Sequence, residues 1–121
     1  MASIRYLVDD VDAAVTFYTE RLGFVVVTHM GAPFASVQKG DLTLWLAGPR
    51  SSAARPMPDG RQPEPGGWNR LVIEVADIAA VVADLRAHGG TFRNDIVTGP
   101  GGQQIVCEDP SGNPIEIFQP A

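Results

Sequence analysis

The sequence predicts an α+β fold built from two tandem βαβββ modules, and two observations carry that prediction. A run that reads strand, helix and three strands occurs twice, and the copies align when Val8-Asp9-Asp10-Val11 is laid on Val75-Ala76-Asp77-Ile78. Glycine closes each predicted helix, Gly23 in one copy and Gly89-Gly90 in the other, and an aromatic residue follows in both, Phe24 and Phe92. A proline-rich interval separates the copies. The 121 residues therefore divide into module 1 over 1–47, a linker loop over 48–67 and module 2 over 68–121, within a single domain.

The elements follow in order. Ser3 to Val8 alternates apolar and polar residues, as a half-buried strand does. Asp9 and Asp10 can cap what comes next, where Val11, Ala14, Val15, Tyr18 and Leu22 recur at helical spacing up to the stop at Gly23. The β-branched run Phe24–Thr28 is a strand, and Gly31-Ala32-Pro33 ends it. Lys39-Gly40-Asp41 is the tip of a hairpin joining Phe34–Gln38 to Leu42–Ala47. In the second copy Asn69–Val75 is a strand and Asp77 a cap. Ile78, Val81, Val82 and Leu85 form a helical stripe, and strands follow near Thr91–Val97, Gln103–Glu108 and Pro114–Phe118. The linker holds five of the ten prolines together with Arg50, Arg55 and Arg61, which predicts irregular, exposed chain.

Composition narrows the function classes. Hydrophobic content of 45% and charged content of 19% are globular values. A net charge of −5 argues against nucleic acid and anionic membrane surfaces, and is compatible with a cationic ligand. Cys107 is the one cysteine, which leaves no intrachain disulfide or thiolate zinc cluster and fits a reducing, cytoplasmic setting. Arg5, Asp9, Asp10 and Asp12 interrupt the beginning of the chain before any signal-like apolar run, and no stretch reaches membrane-spanning length.

The chemistry concentrates near the end, in Glu108 to Phe118. Asp109-Pro110-Ser111-Gly112-Asn113 has the residues of a turn that needs side-chain bonds and a positive φ. In the strand after it, Ile115 and Ile117 face one way while Glu116 and Phe118 face the other. A carboxylate in an apolar strand is costly to bury without a partner, so the partner of Glu116 is the functional question. Alternation puts Ile4, Tyr6, Val8, Leu42, Leu44, Leu46, Leu71, Ile73, Val75, Ile115 and Ile117 toward the helices. The opposite faces carry Ser3, Arg5, Leu7, Thr43, Trp45, Arg70, Val72, Glu74, Glu116 and Phe118, a mixture of aromatics and charges that suits a small-molecule pocket.

Val8 to Tyr18, Leu22-Gly23-Phe24, Glu74 to Ile78 and Asp109 to Glu116 together resemble the vicinal oxygen chelate superfamily of glyoxalase I, extradiol dioxygenases, methylmalonyl-CoA epimerase and the bleomycin and fosfomycin resistance proteins. The resemblance spans nearly the whole chain. It implies that the two modules form an incomplete barrel around a ligand cavity, usually in a homodimer. Metal-dependent members place a ligand on the first and the last strand of each module. The matching positions here are Ser3, Trp45, Arg70 and Glu116, and only Glu116 is a ligand type. No cofactor and no divalent metal are therefore expected.

In place of the metal, Arg70 is expected to pair with Glu116 across the cavity floor as a guanidinium–carboxylate fork. Arg5, Trp45, Arg70, Glu74 and Phe118 are the expected ligand-binding residues. The function expected first is that of a binding protein for a small organic molecule, as in the bleomycin resistance relatives. The alternative is a lyase, isomerase or epimerase using Glu116 as catalytic base, or as a metal ligand alongside donors from substrate or a partner chain. The expected partners are a small organic ligand and a second copy of the chain, without nucleic acid or membrane.

Overall fold

Asp10 and Asp77 start the two helices as the aligned repeats require. Each has extended backbone, and its carboxylate accepts from the amide three residues on, Ala13 at 3.0 Å and Ala80 at 3.1 Å. In the computed structural model, which describes residues 2–121, the chain divides into two compact units, one reaching to Gly66 and the other Gly67–Ala121.

The first unit contains β1 (Ile4–Leu7), α1 (Val11–Thr16), β2 (Val25–His29), β3 (Phe34–Lys39) and β4 (Leu42–Ala47). Its sheet runs β1-β4-β3-β2, with β1 parallel to β4 and the other pairs antiparallel. Helix α1 covers one face, where Tyr6, Val37, Leu44 and Leu46 bury with Val11, Ala14, Val15 and Tyr18. Two expectations need correction. The helix does not run regularly to Gly23: past Thr16 its last turn, Phe17–Arg21, widens to π geometry. The wider turn carries Tyr18 into full burial, edge-on to Phe24 at 5.5 Å, and Leu22 stays buried. Ile4, expected to face the helix, is 38% exposed, because it opens a strand at the sheet edge.

The second unit repeats the plan with β5 (Leu71–Glu74), α2 (Ile78–Ala87), β6 (Thr91–Phe92), β7 (Val97–Gly99), β8 (Gly102–Glu108) and β9 (Pro114–Pro120). Strands run β5-β9-β8-β6, β5 is parallel to β9, and β7 pairs separately with β8. Among the described residues neither sheet closes into a barrel. The strand expected over Thr91–Val97 is thus two short ones. Asn94 explains the break: its side-chain oxygen takes the Val106 amide at 2.9 Å, a proton that a continuing strand would have received on its backbone.

The interval 48–66 folds back on module 1. Ser51 donates to the Gly48 carbonyl through both its amide (3.0 Å) and its hydroxyl (2.7 Å), and a 3-10 turn follows over Ser52–Ala54. Gln62 donates to the Ala54 carbonyl at 2.8 Å. Pro63, Glu64 and Pro65 then border, with Leu7, Val8 and Ala47, a small cavity of about 170 Å³. Gly48 is fixed by space: a Cβ there would stand 2.4 Å from the Ala32 carbonyl oxygen.

Candidate functional site

The turn before β9 sets the register of the site in module 2. Asp109 and Asn113 are both buried, at 5% and 3% exposure. One Asp109 oxygen accepts from the amides of Ser111 and Asn113 at 2.9 Å each, and the other accepts from the Asn113 side chain at 3.0 Å. Gly112, at φ +84°, allows the chain to reverse there. The strand that leaves this turn pairs Val72 with Glu116 and Glu74 with Phe118, on the sheet face opposite to Ile115 and Ile117.

Arg70, one residue ahead of β5, reaches Glu116. Its Nε and Nη2 donate to the same carboxylate oxygen at 3.0 and 2.8 Å, and its Nη1 donates to the Trp68 carbonyl at 3.3 Å. The side chains are 28% and 12% exposed, so the pair is shielded from water. The second oxygen of Glu116 has no protein hydrogen-bond partner among the described residues. Glu74 is exposed and Phe118 half-buried beside it; among the described residues neither forms an ion pair or ring contact.

A second guanidinium–carboxylate pair, which sequence reasoning did not find, lies on the same unit. Arg93 donates to Glu108 at 2.8 Å, to the Gly67 carbonyl at 2.6 Å and to the Gly112 carbonyl at 3.0 Å. Its guanidinium also lies over the Trp68 ring, 4.5 Å from the centroid. Trp68 is 70% exposed, yet Arg93 holds its ring and Arg70 holds its carbonyl. Nothing in the spacing of Arg93 pointed to this, because its partners come from both the linker exit and the β8–β9 turn.

Module 1 has a different arrangement at the corresponding strands. Arg5 and Trp45 are register partners across β1 and β4, and the Arg5 guanidinium lies 4.9 Å from the indole centroid. Phe34 meets the same ring edge-on at 5.9 Å. Trp45 remains 37% exposed. Ser3 is exposed and forms no polar contact among the described residues.

The two histidines have structural partners. His29 pairs with Asp12 of α1 at 2.9 Å, on the helix side of the sheet, and Nδ1 of His88 donates to the Asp84 carbonyl at 2.8 Å. Cys107 faces the core at 1% exposure, and burial pushes its thiol up from 9.0 to about 12, so it stays protonated and inert.

Ser3 and Trp45 of module 1 carry no metal-ligating group. Module 2 offers a guanidinium already bonded to the single carboxylate. Among the described residues no three His, Cys, Asp or Glu side chains gather closely enough to hold a metal.

Two βαβββ modules, each with a helix on one face and polar and aromatic side chains on the other, define a glyoxalase-like protein. The chain belongs to the Glyoxalase/Bleomycin resistance protein/Dioxygenase superfamily, whose model matches residues 1–117. It is 30% identical over 121 residues to the uncharacterized protein YaeR of Escherichia coli (strain K12), covering 96% of this chain and 92% of that one. Lactoylglutathione lyase from Agrobacterium tumefaciens has the same fold, with a TM-score of 0.74 at 21% identity over 98% of this chain and 92% of that one. The antibiotic-binding protein TnmS3 from Streptomyces sp. CB03234 superposes with a TM-score of 0.69 at 25% identity, covering 100% of this chain and 97% of that one.

Proposed function

We propose that this chain binds a small organic molecule without a protein-bound metal, in the manner of the bleomycin resistance branch of its superfamily. The observation that carries the proposal is the ion pair of Arg70 with Glu116, which uses the one ligand-type side chain at the metal positions for a guanidinium. Binding draws on the helix-free faces, through Arg5 and Trp45 in module 1 and Arg70, Glu74, Glu116 and Phe118 in module 2. The likeness to an antibiotic-binding protein supports it. A thermal-shift panel of bleomycin and small aromatic drugs tests it: a ligand at a hundred times its Kd stabilises by about 2.7 kcal/mol. The proposal fails if no compound raises the melting temperature, or if Trp45→Leu and Phe118→Leu leave every shift unchanged.

The free second oxygen of Glu116 favours one other reading, an isomerase, lyase or epimerase in which that oxygen takes a substrate proton while Arg70 holds the first. Arg70 already occupies the first oxygen of this carboxylate, which ranks this reading second. Turnover of an added substrate that vanishes in Glu116→Gln while affinity persists would reverse the order.

We further infer a homodimer in the cytoplasm. Exposed Val25, Val26, Val27, Val72 and Trp68 are apolar surface that a second copy would cover, and a lone free cysteine suits a reducing compartment. Light scattering that returns the 12.9 kDa monomer mass at high concentration would exclude the dimer. Recovery of the native protein outside the cytoplasmic fraction of its cells would exclude the location.

A further inference from the structure

The helix-free face of module 1 carries a charge with no counter-charge. Strand register sets Arg5, Trp45, Ser36 and Thr28 in one row across β1, β4, β3 and β2. Their neighbours on that face are Leu7, Phe34, Gln38 and Thr43, so no acidic side chain lies among them. Arg5 makes its contact with the Trp45 ring and forms no hydrogen bond or ion pair with any described residue. Both arginines on the site of module 2, by contrast, are neutralised by glutamates. Ser36 adds a second observation. The residue is 5% exposed, its hydroxyl has no hydrogen-bond partner among the described residues, and no fully buried side-chain oxygen there lacks one, so the hydroxyl oxygen opens onto this face.

We propose that the Arg5–Trp45–Ser36 row is an anion subsite that selects an aromatic ligand bearing a carboxylate or sulfonate. This deepens the small-molecule-binding reading and rests on it. A guanidinium laid on an indole keeps its N–H edge for a forked anion, and the aromatic wall of Trp45 and Phe34 takes the ring to which the anion is attached. The Ser36 hydroxyl, one strand beyond Trp45, donates a further bond along the same row. The net charge of −5 taken alone favours a cation, but at about 0.15 M salt distant charges are screened beyond roughly 8 Å, and Arg5 is the charged side chain within this row.

Three dyes of similar size test the charge: anilinonaphthalene sulfonate as the anion, phenylnaphthylamine as its neutral analogue and thioflavin T as a cation. Fluorescence titration of the full chain is expected to give the order anion, neutral, cation. Arg5→Met is expected to weaken the anion by about tenfold, the size of one charge-assisted bond, and to weaken the neutral dye by a clearly smaller factor. Arg5→Lys should restore part of the loss, and Ser36→Ala should weaken the anion by a smaller factor. Arg5 is exposed and forms no hydrogen bond or ion pair among the described residues, and Ser36→Ala removes one small hydroxyl, so these variants fold, and circular dichroism checks that they do. Equal anion affinity in Arg5→Met and the parent overturns the anion subsite. If Trp45→Leu still abolishes binding of the neutral dye, the small-molecule reading survives that failure. If neither Trp45→Leu nor Phe118→Leu changes any dye, both fall together.

Discussion

Arg70 directs two N–H groups, at 3.0 and 2.8 Å, onto one oxygen of Glu116 and leaves the other oxygen without a protein partner among the described residues. The equivalent strands of module 1 hold Arg5 over Trp45 at 4.9 Å, with no carboxylate at all. Duplication preserved the pairing of first and fourth strands, yet one module is neutralised and the other carries an open positive charge.

The Arg70–Glu116 pair should show strong coupling in urea denaturation. Removing either partner leaves a shielded charge unpaired, so Arg70→Met and Glu116→Met should each cost about 1–3 kcal/mol. The double variant should cost clearly less than the sum. Additive losses would mean that the two side chains do not interact in solution.

Stability at alkaline pH should depend on Cys107. Its thiol is pushed up from 9.0 to about 12 by burial, so between those values the unfolded chain loses a proton that the folded chain keeps. The unfolded state then binds fewer protons, and unfolding free energy falls as pH rises, by up to about 1.4 kcal/mol per unit for this group. Below pH 9 the term vanishes. Chemical denaturation across this range should find Cys107→Ala less pH-sensitive than the parent, whereas parallel curves would contradict the burial of the thiol.

Trp68 should report on Arg93. In a Trp45→Phe background the remaining indole is Trp68, and Arg93→Met removes the cation stacked on it together with the bonds to Gly67 and Gly112. Acrylamide quenching of Trp68 should increase and its anisotropy decrease. An unchanged quenching constant would show that the ring is held by something else.

Gly48→Ala should destabilise module 1 by about 1–3 kcal/mol, the usual cost of overpacking. The added methyl would meet the Ala32 carbonyl at 2.4 Å and Val11 at 2.9 Å, where the linker leaves β4. A melting temperature equal to that of the parent would mean that this crossing relaxes without cost.

Much of this architecture was written in local sequence. Asp10 and Asp77 mark the helix starts because capping is a contact over three residues. The alternation that buries Leu44, Leu46, Ile115 and Ile117 is likewise a local period of two, and it sorted most of the core from the open faces. The π turn after Thr16 and the break at Asn94 escaped that reading, since one answers to packing around Tyr18 and the other to an amide twelve residues away.

By itself, then, the sequence determined the duplicated modules, the capped helices and the Asp109–Asn113 turn. These follow from propensity, periodicity and residue chemistry. Only the tertiary structure decided which charges meet. Arg70 spans 46 residues to Glu116, Arg93 joins Gly67, Glu108 and Gly112, and Arg5 finds an indole instead of an acid. Strand order and register fix those meetings, because parallel pairing of the first and fourth strands brings together residues that no local pattern links.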